Sequence, residues 1–179
     1  MTTWYHGTSP EAADKIRAEG FRSDIHAKRD AGDIGLGLYF TRTRARATSY
    51  GSEILEVELK GCFAHVRHPY FLDETGNEIE PDTGTEVEQV FYDIVFDRYQ
   101  RMRTVQGPTE ERVRIATAVR RRFLYLGFDG IISDNPDEAV VFNEDCIAVR
   151  CSECHMTGSH KLQCGHRSDR QMKVTRCRS

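Results

Sequence analysis

The sequence predicts an α+β protein, and three features carry that expectation. Strand patterns lie at both ends of residues 1–150 with helical patterns between them, so the elements do not alternate as in a βαβ fold. Glu53-Ile54-Leu55-Glu56-Val57-Glu58-Leu59-Lys60 alternates with period two, the mark of a half-buried strand. Proline and glycine sit where helices should start and stop: Pro10 and Gly20, Gly51, and Gly107-Pro108.

In chain order, Thr3 to His6 is a short strand, followed by a helix with Ser9 as N-cap, Pro10 at its first position, Glu11 in its first turn and Gly20 just past its end. Ala13 and Ile16 face the core, and Phe21 closes the helix end. Arg22 to Gly35 is charged and aperiodic, a loop placed to act as a lid. Gly35 to Thr41 is a strand entered through glycines, without the ending of a phosphate cradle. Arg42 to Tyr50 reads as a helix stopped by Gly51. Asp73 to Glu88 is acidic, carries Gly76, Pro81 and Gly84, and reads as an exposed loop or short hairpin. Val87, Val90, Phe91, Ile94, Val95 and Met102 mark the inner face of a helix, and Thr109 caps a second one with Val113, Ala116, Val119 and Phe123 inward. Arg120-Arg121-Arg122 is a solvent face. Strands at 128–132, 138–142 and 146–149 complete the body.

At 179 residues, 39% of them hydrophobic and 30% charged, the chain suits one domain over 1–150 and a small module over 151–179. It has neither a run of apolar residues long enough to span a membrane nor a signal-like N-terminus, so a cytoplasmic protein without membrane contact is expected. The net charge of −3 is uneven: six cations against two anions give 151–179 a balance of +4 and leave −7 on 1–150. A basic tail on an acidic body fits contact with nucleic acid or with a protein partner.

Three pieces carry chemistry. Tyr5-His6-Gly7-Thr8 ends the first strand, where Gly7 lets backbone approach a ligand and His6 offers both a donor and an acceptor. Tyr39 stands on the glycine-flanked strand with Tyr50 eleven residues on, and Glu138 opens a late strand after a polar loop. In this order they resemble the His-Tyr-Glu class of ADP-ribosyltransferases, the diphtheria-toxin and poly(ADP-ribose)-polymerase class. Tyr5 to Thr8 with the Pro-initiated helix looks like the first motif of that class, and Gly37 to Thr41 with Ala45 to Tyr50 like the second. Gly127 to Ile131 with Asp137 to Asn143 looks like the third, so the likeness spans residues 4–148.

The resemblance implies an ADP-ribosyltransferase fold with a split antiparallel sheet and flanking helices. It also implies NAD as co-substrate, cleaved at the nicotinamide–ribose bond, with ADP-ribose passed to a protein or nucleic acid. His6, Gly7, Thr8, Tyr39 and Tyr50 would bind NAD, and His6, Tyr39 and Glu138 would form the catalytic set. Two aromatic faces suit a flat cationic ring, and a fixed carboxylate suits an oxocarbenium-like transition state. Ala47 stands where the polymerases carry a serine on the nicotinamide amide, with Thr48 adjacent. Pro136 stands where arginine-modifying relatives carry Gln or Glu, which points away from arginine as acceptor; Asn135, Pro136 and Asp137 would help to select it. NAD glycohydrolase and an inactive binding module of the same fold are the alternatives.

Four of the six cysteines, Cys151, Cys154, Cys164 and Cys177, crowd into the last 29 residues, where in a chain without a signal peptide they read as metal ligands. The Cys-x-x-Cys knuckle and a second pair suit a closed structural Zn²⁺ site, with His166 as alternative to Cys177. So short a module cannot build a core unaided, and it lacks aromatic platforms for bases, so any nucleic-acid contact would rest on phosphates.

Overall fold

The capping signals around the first helix act as predicted. Pro10 opens α1 (Pro10–Glu19), the Ser9 hydroxyl accepts the Ala12 N–H, and Gly20 at φ 85° donates its N–H to the Ile16 carbonyl. Ala13, Ile16 and Phe21 are buried. In this computed structural model the described residues are 2–22, 34–66, 86–102, 110–134 and 137–150. Most of the expected lid over 22–35, the acidic stretch up to residue 85, Thr109, Asn135, Pro136 and the whole of 151–179 with its expected zinc ligands lie outside them, as do the side chains of Val95 and Met102.

The strands are β1 (Thr3–Thr8), β2 (Leu38–Thr41), β3 (Glu53–Leu59), β4 (Phe63–Val66), β5 (Gly130–Asp134), β6 (Asp137–Val141) and β7 (Ile147–Val149). They form one seven-stranded sheet in the order β4-β5-β6-β2-β1-β3-β7. The helices besides α1 are α2 (Arg44–Ala47), α3 (Glu86–Met102) and α4 (Glu110–Tyr125), with a 3₁₀ turn at Glu144–Cys146. Mixed α+β architecture is therefore as expected, but the sheet is not wholly antiparallel: β4 pairs with β5 in parallel, Phe63 opposite Gly130 and Val66 opposite Ser133. The chain between them runs through α3 and α4, the long crossover that a parallel pair needs.

Strand alternation divides the core in two. Trp4, Leu38, Phe40, Leu55, Val57, Ala139 and Val141 pack with Ala13, Ile16 and Phe21 on the α1 side. Ala64, Val66, Ile131 and Val140 pack with Phe91, Tyr92, Ile115, Val119 and Phe123 on the α3–α4 side. Val113, expected inward, is 42% exposed, because Ile115, Val119 and Phe123 set the phase of the buried stripe on α4. The triple arginine on α4 is not only a solvent face: the Arg120 guanidinium donates to the Phe142 carbonyl at 2.9 Å and to the Leu36 carbonyl at 3.3 Å. It ties the entry of β2 and the exit of β6 to α4. Cys146 is a buried free thiol. Among the described residues no helix is long and apolar enough to cross a membrane.

Candidate functional site

The central ladder of the sheet is weak at one place. β1 pairs with β3 along its whole length, from Thr3 opposite Glu58 to Thr8 opposite Glu53, but with β2 only at Tyr5 opposite Thr41. Beyond that pair the strands part, and α2 packs on both of them across the opening. The Tyr39 carbonyl is there met by a side chain: His6 Nδ1 lies 2.8 Å from it. A carbonyl only accepts, so Nδ1 carries the proton in this contact, and a neutral ring would then have Nε2 as its acceptor. The His6 ring stands edge-on to Phe21 at 5.2 Å and tilted to Phe40 at 5.4 Å, which puts it on the α1 side of the sheet.

Gly7 is turned the other way, toward α2. A Cβ on Gly7 would fall 1.8 Å from the Ala47 carbonyl oxygen and 3.2 Å from the Tyr50 Cβ, so only glycine lets β1 run beneath the end of α2. Gly51 makes the matching approach, since a Cβ there would meet the Thr8 backbone at 2.2 Å. Thr8 is itself buried. Two glycines thus press the 47–51 turn onto the end of β1.

That turn meets β6. The Glu138 side chain, from a residue only 4% exposed, takes Arg46 Nη2 at 2.6 Å on Oε1, and the same oxygen accepts from the Tyr50 hydroxyl at 3.3 Å. Arg46 also bonds Tyr50; burial works against its charge, but Glu138 and Tyr50 outweigh burial and hold the guanidinium above its ordinary value. Cross-strand register places Glu138 between Thr41 on β2 and Ser133 on β5. The Thr41 hydroxyl donates to the Thr43 carbonyl at 2.9 Å.

Of the expected site residues, Glu138, Tyr50 and Gly7 are brought together around α2, and His6 and Tyr39 are joined at the seam of β1 and β2. Tyr39 spends its hydroxyl on the chain entering β2, accepting the Ile34 and Gly35 N–H groups at 3.1 Å and donating to the Gly35 carbonyl at 2.8 Å. What it can offer a ligand is its ring. Tyr50 is 59% exposed and can present both ring and hydroxyl. Arg46, which sequence reasoning missed, is one of three arginines in 42–46. Its spacing of four from Tyr50 was the available signal, since residues so spaced share a helical face. Among the described residues no group of three or more His, Cys, Asp or Glu side chains could hold a metal ion. No protein-family model matches the chain, and no curated protein matches it in sequence.

Proposed function

We propose that the chain is a mono-ADP-ribosyltransferase of the fold its motifs resemble, cleaving NAD at the nicotinamide–ribose bond and passing ADP-ribose to a protein or nucleic acid. One observation carries the reading. The catalytic carboxylate expected at Glu138 lies 3.3 Å from the hydroxyl of the expected ligand-stacking Tyr50, although 88 positions separate them, over the expected ligand-gripping Gly7.

In this reading the Gly7 backbone grips the nicotinamide carboxamide, with Thr8 beside it, and the rings of Tyr39 and Tyr50 hold the cationic pyridinium. His6, with Nε2 as acceptor, takes a hydroxyl of the adenosine ribose. Glu138 leaves Arg46 and accepts the 2′-hydroxyl of the nicotinamide ribose, favouring positive charge on that sugar. The C1′–N bond breaks with its electron pair going to nicotinamide, and the acceptor nucleophile bonds C1′ and gives up its proton. Arg46 is the natural exchange partner because it is 42% exposed and can turn outward, whereas Glu138 is fixed on a central strand.

The test is incubation with labelled NAD, scoring free nicotinamide and label on protein or nucleic acid beside Glu138→Gln. The expected result is release with transfer in the native protein and a loss of at least about 100-fold in the variant. Release without transfer would make water the acceptor and the protein a glycohydrolase. No release, even with cell extract supplying acceptors, would overturn the enzyme reading and leave a binding module.

A further inference from the structure

Among the described residues the strand next to Glu138 carries one polar group without a use. Ser133 is fully buried, and its hydroxyl has no hydrogen-bond partner. A buried hydroxyl left unpaired is unfavourable, and such a group in a folded protein calls for a reason. Register supplies the context: Ser133 on β5 is directly opposite Glu138 on β6, so their side chains share a face with Cβ atoms about 5 Å apart. Thr41 is the cross-strand neighbour on the other side, and its proton is already given to Thr43. Ser133 therefore holds the uncommitted donor beside the carboxylate.

We infer that Ser133 is a positioning residue for Glu138: when the carboxylate gives up Arg46, the Ser133 hydroxyl rotates to donate to it and keeps it fixed and ionised. This rests on Glu138 being the catalytic carboxylate, and it adds the group that steadies it. Among the described residues, titratable groups that face Glu138 include Arg46 on α2 and Tyr50 in the turn that follows it. Asp137 precedes it on β6 and by alternation projects from the opposite face.

Two measurements test this. In the proposed reaction, Ser133→Ala should lower kcat about tenfold, the size of one lost charge-assisted hydrogen bond. KM for NAD should hold, the acid limb of the pH profile should move to higher pH, and the melting temperature should not fall, because an unpaired group has been removed. Ser133→Cys keeps the volume with a weak donor and should match Ala. In a Glu138→Gln background neither change should matter. Recovery of the rate by Cys, or an unchanged kcat in Ala, overturns the inference. The second measurement needs no activity: with Arg46→Ala freeing the carboxylate, titration of isotopically labelled Glu138 should show its pKa raised when Ser133→Ala is added, since a donor to the charged form is lost. An unchanged titration overturns the inference. Should the titration move while the native protein releases no nicotinamide, the enzyme reading fails and the Ser133–Glu138 bond stands.

Discussion

A single methyl group at position 7 would end 1.8 Å from the Ala47 carbonyl oxygen, far inside van der Waals contact distance, and that oxygen is backbone and cannot swing aside. Gly7→Ala should therefore lift α2 from β1 and destabilise the protein by about 1–3 kcal/mol, the cost of overpacking. It should also break the Tyr50–Glu138 contact, so urea unfolding and NAD turnover should both record the loss. Tyr39→Phe probes the other half of the site. Removing the hydroxyl strands two N–H groups and a carbonyl of Ile34 and Gly35, a loss of about 1–3 kcal/mol. Amide exchange at Ile34 and Gly35 should quicken while Gly7 stays protected. Residues of this kind were only partly legible in the sequence. Glu138, Tyr50 and Gly7 could be picked out, but nothing local to 42–46 says which arginine reaches a carboxylate 92 positions on, because that contact is made by the order of strands in the sheet.

At the scale of elements, the turns that close the β5 end of the sheet hang on Asp129. Its carboxylate accepts the Cys62 N–H and the Asn143 side-chain amide, each at 2.9 Å, while its backbone bonds Cys62, Phe142 and Asn143. Asp129→Ala would leave both donors unpaired and should cost about 2–4 kcal/mol; Asp129→Asn keeps an acceptor and should cost less. The Cys146 thiol is pushed up to about 12, first by burial and then by the nearby Asp129 carboxylate. The folded chain thus binds the thiol proton more tightly than the unfolded chain, whose value is near 9.0. The resulting stability is intact below pH 9 and fades as pH rises toward 12. Urea midpoints should fall over that window, and Cys146 should resist alkylation at pH 8 until the protein is unfolded. Locally encoded elements are the ones that could be read: α1 from its caps, and β3 from its alternation. Strand β4 was missed because four residues after a glycine carry no period, and its pairing with β5 comes from a segment 67 positions away. The helix expected over 42–50 shrinks to Arg44–Ala47, since Thr48 and Ser49 hydroxyls bond the Ala45 and Arg46 carbonyls and the turn closes at once.

For the molecule as a whole, the described residues of the buried cores run from Trp4 to Cys146, one cluster on each side of the sheet. If residues 151–179 fold around Zn²⁺, as their cysteines propose, metal and sheet should be separable in stability. Full-length protein purified without chelator should hold one equivalent of zinc, and substitution of Cys151 and Cys154 should abolish it. Well under one equivalent in the native protein would rule the site out. Trp4 is the only tryptophan and is 2% exposed on the α1 side of the sheet, with the Arg42 guanidinium 4.1 Å above its ring. Its fluorescence therefore reports on the sheet. A strong chelator should remove the zinc and leave the Trp4 emission and its urea midpoint unchanged, because the described residues that pack with Trp4 come from α1, Phe21, the strands and Cys146, all ahead of the tail. A fall in the Trp4 midpoint with zinc loss would mean that the tail braces the body, and the natural place for that bracing is the β3–β7 edge. There Arg150 donates its N–H to the Glu56 carbonyl and its guanidinium to the buried Glu58, both at 2.9 Å, immediately before the first of the tail cysteines.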